Sequence, residues 1–272
     1  MLKLKRFAGL WLTLVITTLA PAHAFAASIV QLTPSIKASF DETAGTADSS
    51  TKSKLANLYS ELAMLQTQLD SREERIRVLH YKNEQMLTVI RQQIREIDTN
   101  VVSSLEAQTK SSQERYQPLF DQYSSLTRRI SIAKNLKDKN LNAVLKAQGD
   151  AMKVLVQLAR QDIRDKQAKS KAAKETRSLK IAAARKTLSN IESSQTGIKS
   201  EKSVVTALNK RLSADWTSFK SSIRKQNPVT ASQSLSSLIS IFRQIAASEQ
   251  KIEELEQRVS SVIEKTRVQI GA

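Results

Sequence analysis

The 272 residues predict an all-α protein, an elongated antiparallel helical hairpin or coiled coil with a shorter C-terminal helix packed against it. Three observations carry this expectation. From Leu55, apolar residues recur at a 3.5-residue period over six to seven heptads, the repeat that keeps one stripe of a helix facing a partner. The strong helix formers Ala, Leu, Lys, Gln, Glu and Arg dominate after residue 50. Only five Gly and four Pro interrupt the chain, and aromatic residues make up 4% of it, which suits narrow helical seams better than a thick core.

The N-terminus has the pattern of a signal peptide. Lys3, Lys5 and Arg6 precede an apolar stretch from Phe7 to Ala20, and Ala24-Phe25-Ala26 supplies the small-x-small site. Cleavage is expected after Ala26, with Ala24 as the alternative, leaving residues 1–26 outside the mature chain. That stretch is fourteen residues long, short of the roughly 20 that span a bilayer. Residues 27–50 carry no period and contain Pro34, Gly45 and a Thr/Ser/Asp-rich run from Asp41 to Ser50, although Ile29, Val30, Leu32, Ile36 and Phe40 could dock on a helix; they read as a mostly flexible tail, before a helical coiled-coil domain over 51–272.

The first helix is expected from about 52 to 113, roughly 90 Å at about 1.5 Å per residue. Its seam consists of Leu55, Leu62, Leu69, Ile76, Ile90 and Ile97 at position a, with Leu58, Leu65, Leu79 and Met86 at position d. Past Ile90 the register drifts to Ile94, Ile97, Val101 and Leu105. Asn83 interrupts the a positions and Arg72 the d positions. Asn83 has two readings, a device that fixes register and strand number or a solvated defect. Ser49 to Thr51 offer a cap for the start.

Pro118 predicts a break or kink, because it lacks a backbone donor. Lys134–Asn140, Gly149 and Thr196-Gly197 are further weak points, so either Pro118 or Lys134–Asn140 is the hairpin tip. Asn227 as N-cap and Pro228 at the first helical position mark the cleanest boundary, opening a C-terminal amphipathic helix over about 228–269. Trp216, Phe219 and Ile223 share one face as an apolar anchor, with a membrane or partner contact as the alternative.

Charge is distributed unevenly. Without Lys3, Lys5 and Arg6 the net charge of +17 becomes +14. Residues 27–133 and 226–272 each balance to zero, whereas residues 134–225 hold 22 basic and eight acidic side chains. The densest run, Lys166 to Lys186, places Lys166, Lys169, Lys174, Arg177 and Lys180 within about 140° of each other on a helical wheel. These five are the candidate polyanion-binding residues. Ala168, Ala172, Leu179 and Ala183 fall opposite and read as a small-residue seam.

Catalytic chemistry has little material. The chain has no Cys, and beyond the signal peptide only His80, at a position flanking the seam. No common zinc set can be assembled from one His and no Cys. The glycines are isolated, so no Gly-rich phosphate loop exists. Glu73-Glu74 and Glu253-Glu254 are adjacent and point apart, as solvated charges do. No catalytic residue, cofactor site or metal site is expected, and no small-molecule substrate.

The expected function is that of an exported, non-enzymatic structural or adaptor protein of the cell envelope. Its basic segment would contact an anionic envelope polymer or an envelope protein, with self-association through the seams as a further partnership. The alternatives are an extracytoplasmic holdase chaperone and a non-specific extracellular nucleic-acid binder. The location would be extracellular, cell-wall-associated or periplasmic.

Overall fold

The computed structural model describes residues 29–271; the expected signal peptide lies outside them. Among the described residues all regular structure is helical. Six helices follow one another: α1 (Pro34–Gly45), α2 (Ser49–Glu96), α3 (Thr99–Asn135), α4 (Lys139–Leu188), α5 (Ile191–Arg224) and α6 (Pro228–Ile270). By contacts the chain divides into two compact units. One holds the described part of Met1–Arg72 with Glu201–Glu249, and the other holds Glu73–Ser200 with Gln250–Ala272.

The helix boundaries correct several expectations. Residues 27–50 contain a helix rather than an aperiodic tail. Thr33 caps it, accepting from the Ile36 amide at 3.4 Å, and Pro34 occupies its first turn, where a missing N–H costs nothing. Phe40, Thr43 and Ala44 are buried on its inner face. The cap of α2 is Asp48, one residue before the expected Ser49–Thr51: its carboxylate accepts from the amides of Ser50 and Thr51 at 3.0 Å each. The Thr51 hydrogen bonds hold the Asp48 carboxyl below the usual carboxylate range.

The helix expected over 52–113 ends at Glu96, where the heptad register had drifted. Asp98 there takes a left-handed φ of 50°, which a continuous helix does not accommodate. Pro118, by contrast, sits inside α3 without ending it. Its ring is exposed, as is Glu114, so the carbonyl that Pro118 leaves without a donor can be hydrated. The helix break falls at Leu136–Asp138, inside the Lys134–Asn140 weak point. Neither Gly149 nor Gly197 breaks a helix, because each is a point of close approach. A Cβ on Gly149 would lie 3.0 Å from Ile130 Cδ1, and one on Gly197 would lie 3.0 Å from Leu255 Cδ1. The break expected at Thr196-Gly197 falls instead between Leu188 and Ile191.

The last boundary is as expected. Asn227 Oδ1 accepts from the Thr230 amide at 3.0 Å, and Pro228 opens α6. That helix runs Pro228–Ile270, close to the expected 228–269, and at 43 residues it is shorter than α2 at 48 and α4 at 50. The α3–α4 and α5–α6 turns close alike. The Asp138 amide reaches the Ala133 carbonyl at 3.3 Å and the Asn227 amide reaches Ser222 at 3.0 Å. Such closure needs a left-handed residue, usually glycine; Lys137 (φ 57°) and Gln226 (φ 48°) supply it here.

The first unit has the aromatic core. Phe40 stacks on Tyr59 with centroids 4.5 Å apart, and Trp216 on Phe219 at 5.3 Å. Around them Leu55, Leu62, Leu69, Leu212, Leu235, Leu238, Phe242 and Ile245 are buried, with Leu58 and Leu65 packed against the cluster. The Thr43 hydroxyl donates to the Ile223 carbonyl at 2.9 Å, tying α1 to the end of α5. Trp216, Phe219 and Ile223 are thus an internal anchor.

In the second unit the seam continues through Ile76 and Ile90, both buried, with Leu79, Met86 and Ile97 half-buried. Leu87 and Ile94 become buried where the register shifts. Residues on α2 meet residues on α6 in rising order, Arg75 with Glu253 and then Asn83 with Glu256. The two helices therefore run in the same direction here.

Candidate functional site

The basic segment lies mainly on α4, in the second unit. Its packing against α3 is built from small or slender side chains: Ala133, Leu126 and Leu145 are buried together, with Ile130 and Met152 against them. The contacts run in opposite order along α3 and α4. Asp98 meets Lys180, Glu106 meets Lys174, Ser112 meets Lys166 and Arg115 meets Asp162. The midpoint of every pair falls between residues 138 and 140, at the Leu136–Asp138 turn.

Four of the five candidate polyanion residues therefore have partners within the chain. Lys166 Nζ donates to Ser112 Oγ at 2.5 Å and to Asp162 Oδ2 at 2.8 Å. That hydrogen bond holds the Asp162 carboxyl below the usual carboxylate range against partial desolvation, with Tyr116 and Arg115 acting in the same direction. Lys174 forms an ion pair with Glu106, and Lys180 reaches Asp98 at 2.7 Å. Arg177 closes the end of α2. Its guanidinium donates to the carbonyls of Ile97 and Arg95 at 2.8 and 2.9 Å, and to Thr99 Oγ1 at 3.1 Å. A helix C-terminus leaves such carbonyls unpaired and carries partial negative charge, so a guanidinium suits it. Of the five, Lys169 alone is exposed without an ion pair.

The small-residue seam also needs correction. Ala168, Ala172, Leu179 and Ala183 face solvent, Leu179 being 72% exposed. The packed face is made instead by Ser170, Ala184 and Leu188, with Ala173, Arg177 and Ile181 half-buried. The wheel grouped the cations correctly, but they lie toward α3, where Asp98, Glu106 and Ser112 receive them.

Further exposed cations without an ion pair lie nearer the turn, besides Arg164, Lys169, Arg185 and Lys186 farther along α4. Arg128, Arg129, Lys134, Lys137, Lys139, Lys146 and Lys153 are exposed and form no ion pair. The only acids between residues 128 and 160 are Asp138 and Asp150. Asp138 is engaged as the α4 cap, accepting from the Leu141 amide at 3.0 Å.

A second polar cluster joins α2 and α6. Glu256 is 1% exposed. Its Oε1 lies 2.6 Å from His80 Nδ1, and Asn83 Nδ2 donates at 2.8 Å both to its Oε2 and to its backbone carbonyl. Asn83 is therefore a hydrogen-bonded seam position rather than a solvated one. Arg72, the other polar seam residue, donates from Nη1 to the Ala246 carbonyl at 2.9 Å. A buried carboxylate orienting an imidazole is a recurrent device of acid–base sites, yet the cluster is packed into a seam and sets the pairing of two helices.

Sequence reasoning missed Glu256 and the α3 acids. The signal for Glu256 was a repeat: Ile252, Glu256, Val259, Ile263 and Thr266 are all buried at alternating four- and three-residue spacing, so Glu256 occupies a seam position. The signal for the α3 partners was symmetry about residue 139, visible only once the turn is fixed.

Among the described residues no group of three His, Cys, Asp or Glu side chains is placed to share a metal ion. No helix among them is long and apolar enough to cross a membrane. An open groove of about 330 Å³ between α3 and α4 is lined by polar residues including Glu106, Lys110, Gln167 and Lys174. Comparisons with family models, curated proteins and solved structures return no match.

Proposed function

We propose that this chain is an exported, non-enzymatic coiled-coil structural or adaptor protein of the cell envelope. In this reading it is an elongated antiparallel helical hairpin with the C-terminal helix packed against it, and its basic segment contacts an anionic envelope polymer or envelope protein. One observation carries the reading. Lys134, Lys137, Lys139, Lys146 and Lys153 are exposed and unpaired, in a stretch whose nearest acids are Asp138 and Asp150. A polyanion brought to such a surface releases its counterions, which drives binding without sequence preference and makes it salt-dependent. The test is fractionation of cells producing the chain, followed by a salt series on the envelope fraction. Recovery in the envelope at low salt and release at moderate salt is expected; recovery only in the cytoplasm would overturn the reading.

A holdase chaperone is the second reading, and a specific observation favours it. Leu141, Val144, Leu155 and Leu158 on α4 are 44–64% exposed, and exposed apolar surface near cations is what an unfolded client engages. Suppression of aggregation of a reduced, unfolded client by the wild type, lost in Leu155→Ser/Leu158→Ser, would transfer the proposal to this class.

A further inference from the structure

The exposed part of α4 nearest the turn presents two faces. Lys139, Lys146, Lys153 and Arg160 recur every seven residues, so at about 100° per residue they drift only about 20° per step and form one line. Leu141, Val144, Leu155 and Leu158, all exposed, centre about 180° from that line. Leu145, Gly149, Val156 and Ala159, which are buried, occupy the face between. The three lysines have no ion-pair partner, and Arg160 lies 6.0 Å over the Phe120 ring with its N–H groups otherwise unpartnered. Within α4 between Lys139 and Arg160 the one acid is Asp150.

We propose that Lys139, Lys146, Lys153 and Arg160 form a track for a linear, water-solvated polyanion of the phosphodiester or polyphosphate type. The inference rests on the reading above that the basic segment takes an anionic partner, and it moves the contact from Lys166–Lys180 to the first half of α4. The four cations stand about 10.5 Å apart and span about 32 Å of a straight helix. A phosphate chain carries charges more closely than that, so each flexible side chain always finds a phosphate and no register is imposed. The placement of the leucines decides against a lipid surface. A bilayer gains from headgroup and acyl contacts made on one side, whereas here the apolar residues face away from the cations. A hydrated polymer asks only for the cations.

The experiment uses the chain from Ala27 onward, which holds every described residue. Binding of fluorescent polyphosphate, of a single-stranded oligothymidine and of anionic phosphatidylglycerol vesicles is measured between 50 and 200 mM salt. Four contacts predict a log–log salt slope of about −2.8 or steeper for a single chain. Lys146→Gln/Lys153→Gln should flatten it by about 1.4, so the variant loses about sevenfold less affinity across that salt range. Lys139→Gln/Lys153→Gln should do the same, and the melting curves of both should match the wild type, since no described contact is removed. Equal effects on both polymers support a phosphate track without base reading; an effect on the oligonucleotide alone identifies nucleic acid as the source. A slope unaffected by these pairs but flattened by Lys166→Gln/Lys169→Gln/Lys174→Gln overturns the track and leaves the anionic-partner reading standing. Binding to vesicles without binding to either polymer overturns the choice of a linear polyanion. No binding to any of the three at 50 mM salt overturns both readings.

Discussion

Two stretches of α4 are rich in basic side chains, and their contacts differ. Lys166, Lys174, Arg177 and Lys180 turn toward α3, where Asp98, Glu106, Ser112 and the last carbonyls of α2 receive them, while Lys169 stays exposed. Between Lys139 and Arg160 the cations are spread more thinly and meet no carboxylate. A charge count ranks the first stretch higher as a binding surface. In the first stretch, however, Lys166, Lys174, Arg177 and Lys180 are compensated by residues outside α4. What a polyanion can use is the charge left unpaired after the helices have packed.

Substitutions can break or sharpen this contrast. The largest effect belongs to Arg177→Ala, which strips three acceptors at the α2–α3 junction. Hydrogen bonds from a charged donor contribute about 1.5–3 kcal/mol before solvent exposure is discounted, so a loss of about 2 kcal/mol is expected in denaturant unfolding. Lys166→Gln should cost about 1 kcal/mol, because its partners are polar but the side chain is 29% exposed. That difference has a pH signature. Asp162 has a folded-state pKa below its ordinary 3.8, so its contribution is present above about pH 3.8 and disappears as pH falls through the lower folded value. Melting temperatures of wild type and Lys166→Gln should therefore converge in strong acid.

Smaller still is Lys137→Gly at the turn joining the helices of the pair. Relief of the left-handed conformation, about 1–2 kcal/mol, is offset by the freer unfolded chain, about 0.5–1 kcal/mol. A net gain of about 0.5–1 kcal/mol in the same assay is expected. At the bottom of the scale, Lys146→Gln/Lys153→Gln should leave stability within about 0.5 kcal/mol, the expected result for side chains that hold nothing in place.

Much of the fold was legible because it depends on repeats. The a positions Leu55, Leu62, Leu69, Ile76 and Ile90 are all buried, and Asn227-Pro228 opens α6 through local chemistry alone. What remained hidden depended on distant residues. Pro118 looks like a terminator until α3 is seen to keep it on the solvent side. Phe40 reads as a residue able to dock on a helix, but its partners are fixed only when Tyr59 and Phe219 are placed beside it. Lys137 and Gln226 carry no turn signature, yet they make the conformations for which glycine is usual. The candidate site followed the same rule. Grouping the cations of α4 needed only a helical period, whereas deciding which were free required the acids of α3, some 50 to 80 residues earlier in the chain.

The cluster of His80, Asn83 and Glu256 has a mechanical consequence. Two helices packed along repeating apolar stripes can slip by seven residues and find nearly the same apolar surface. Here a seven-residue slip would carry Glu256 from Asn83 to Ile76 or Ile90, stranding a buried carboxylate without donors. An uncompensated buried charge costs about 3–5 kcal/mol, so the polar layer acts as a detent.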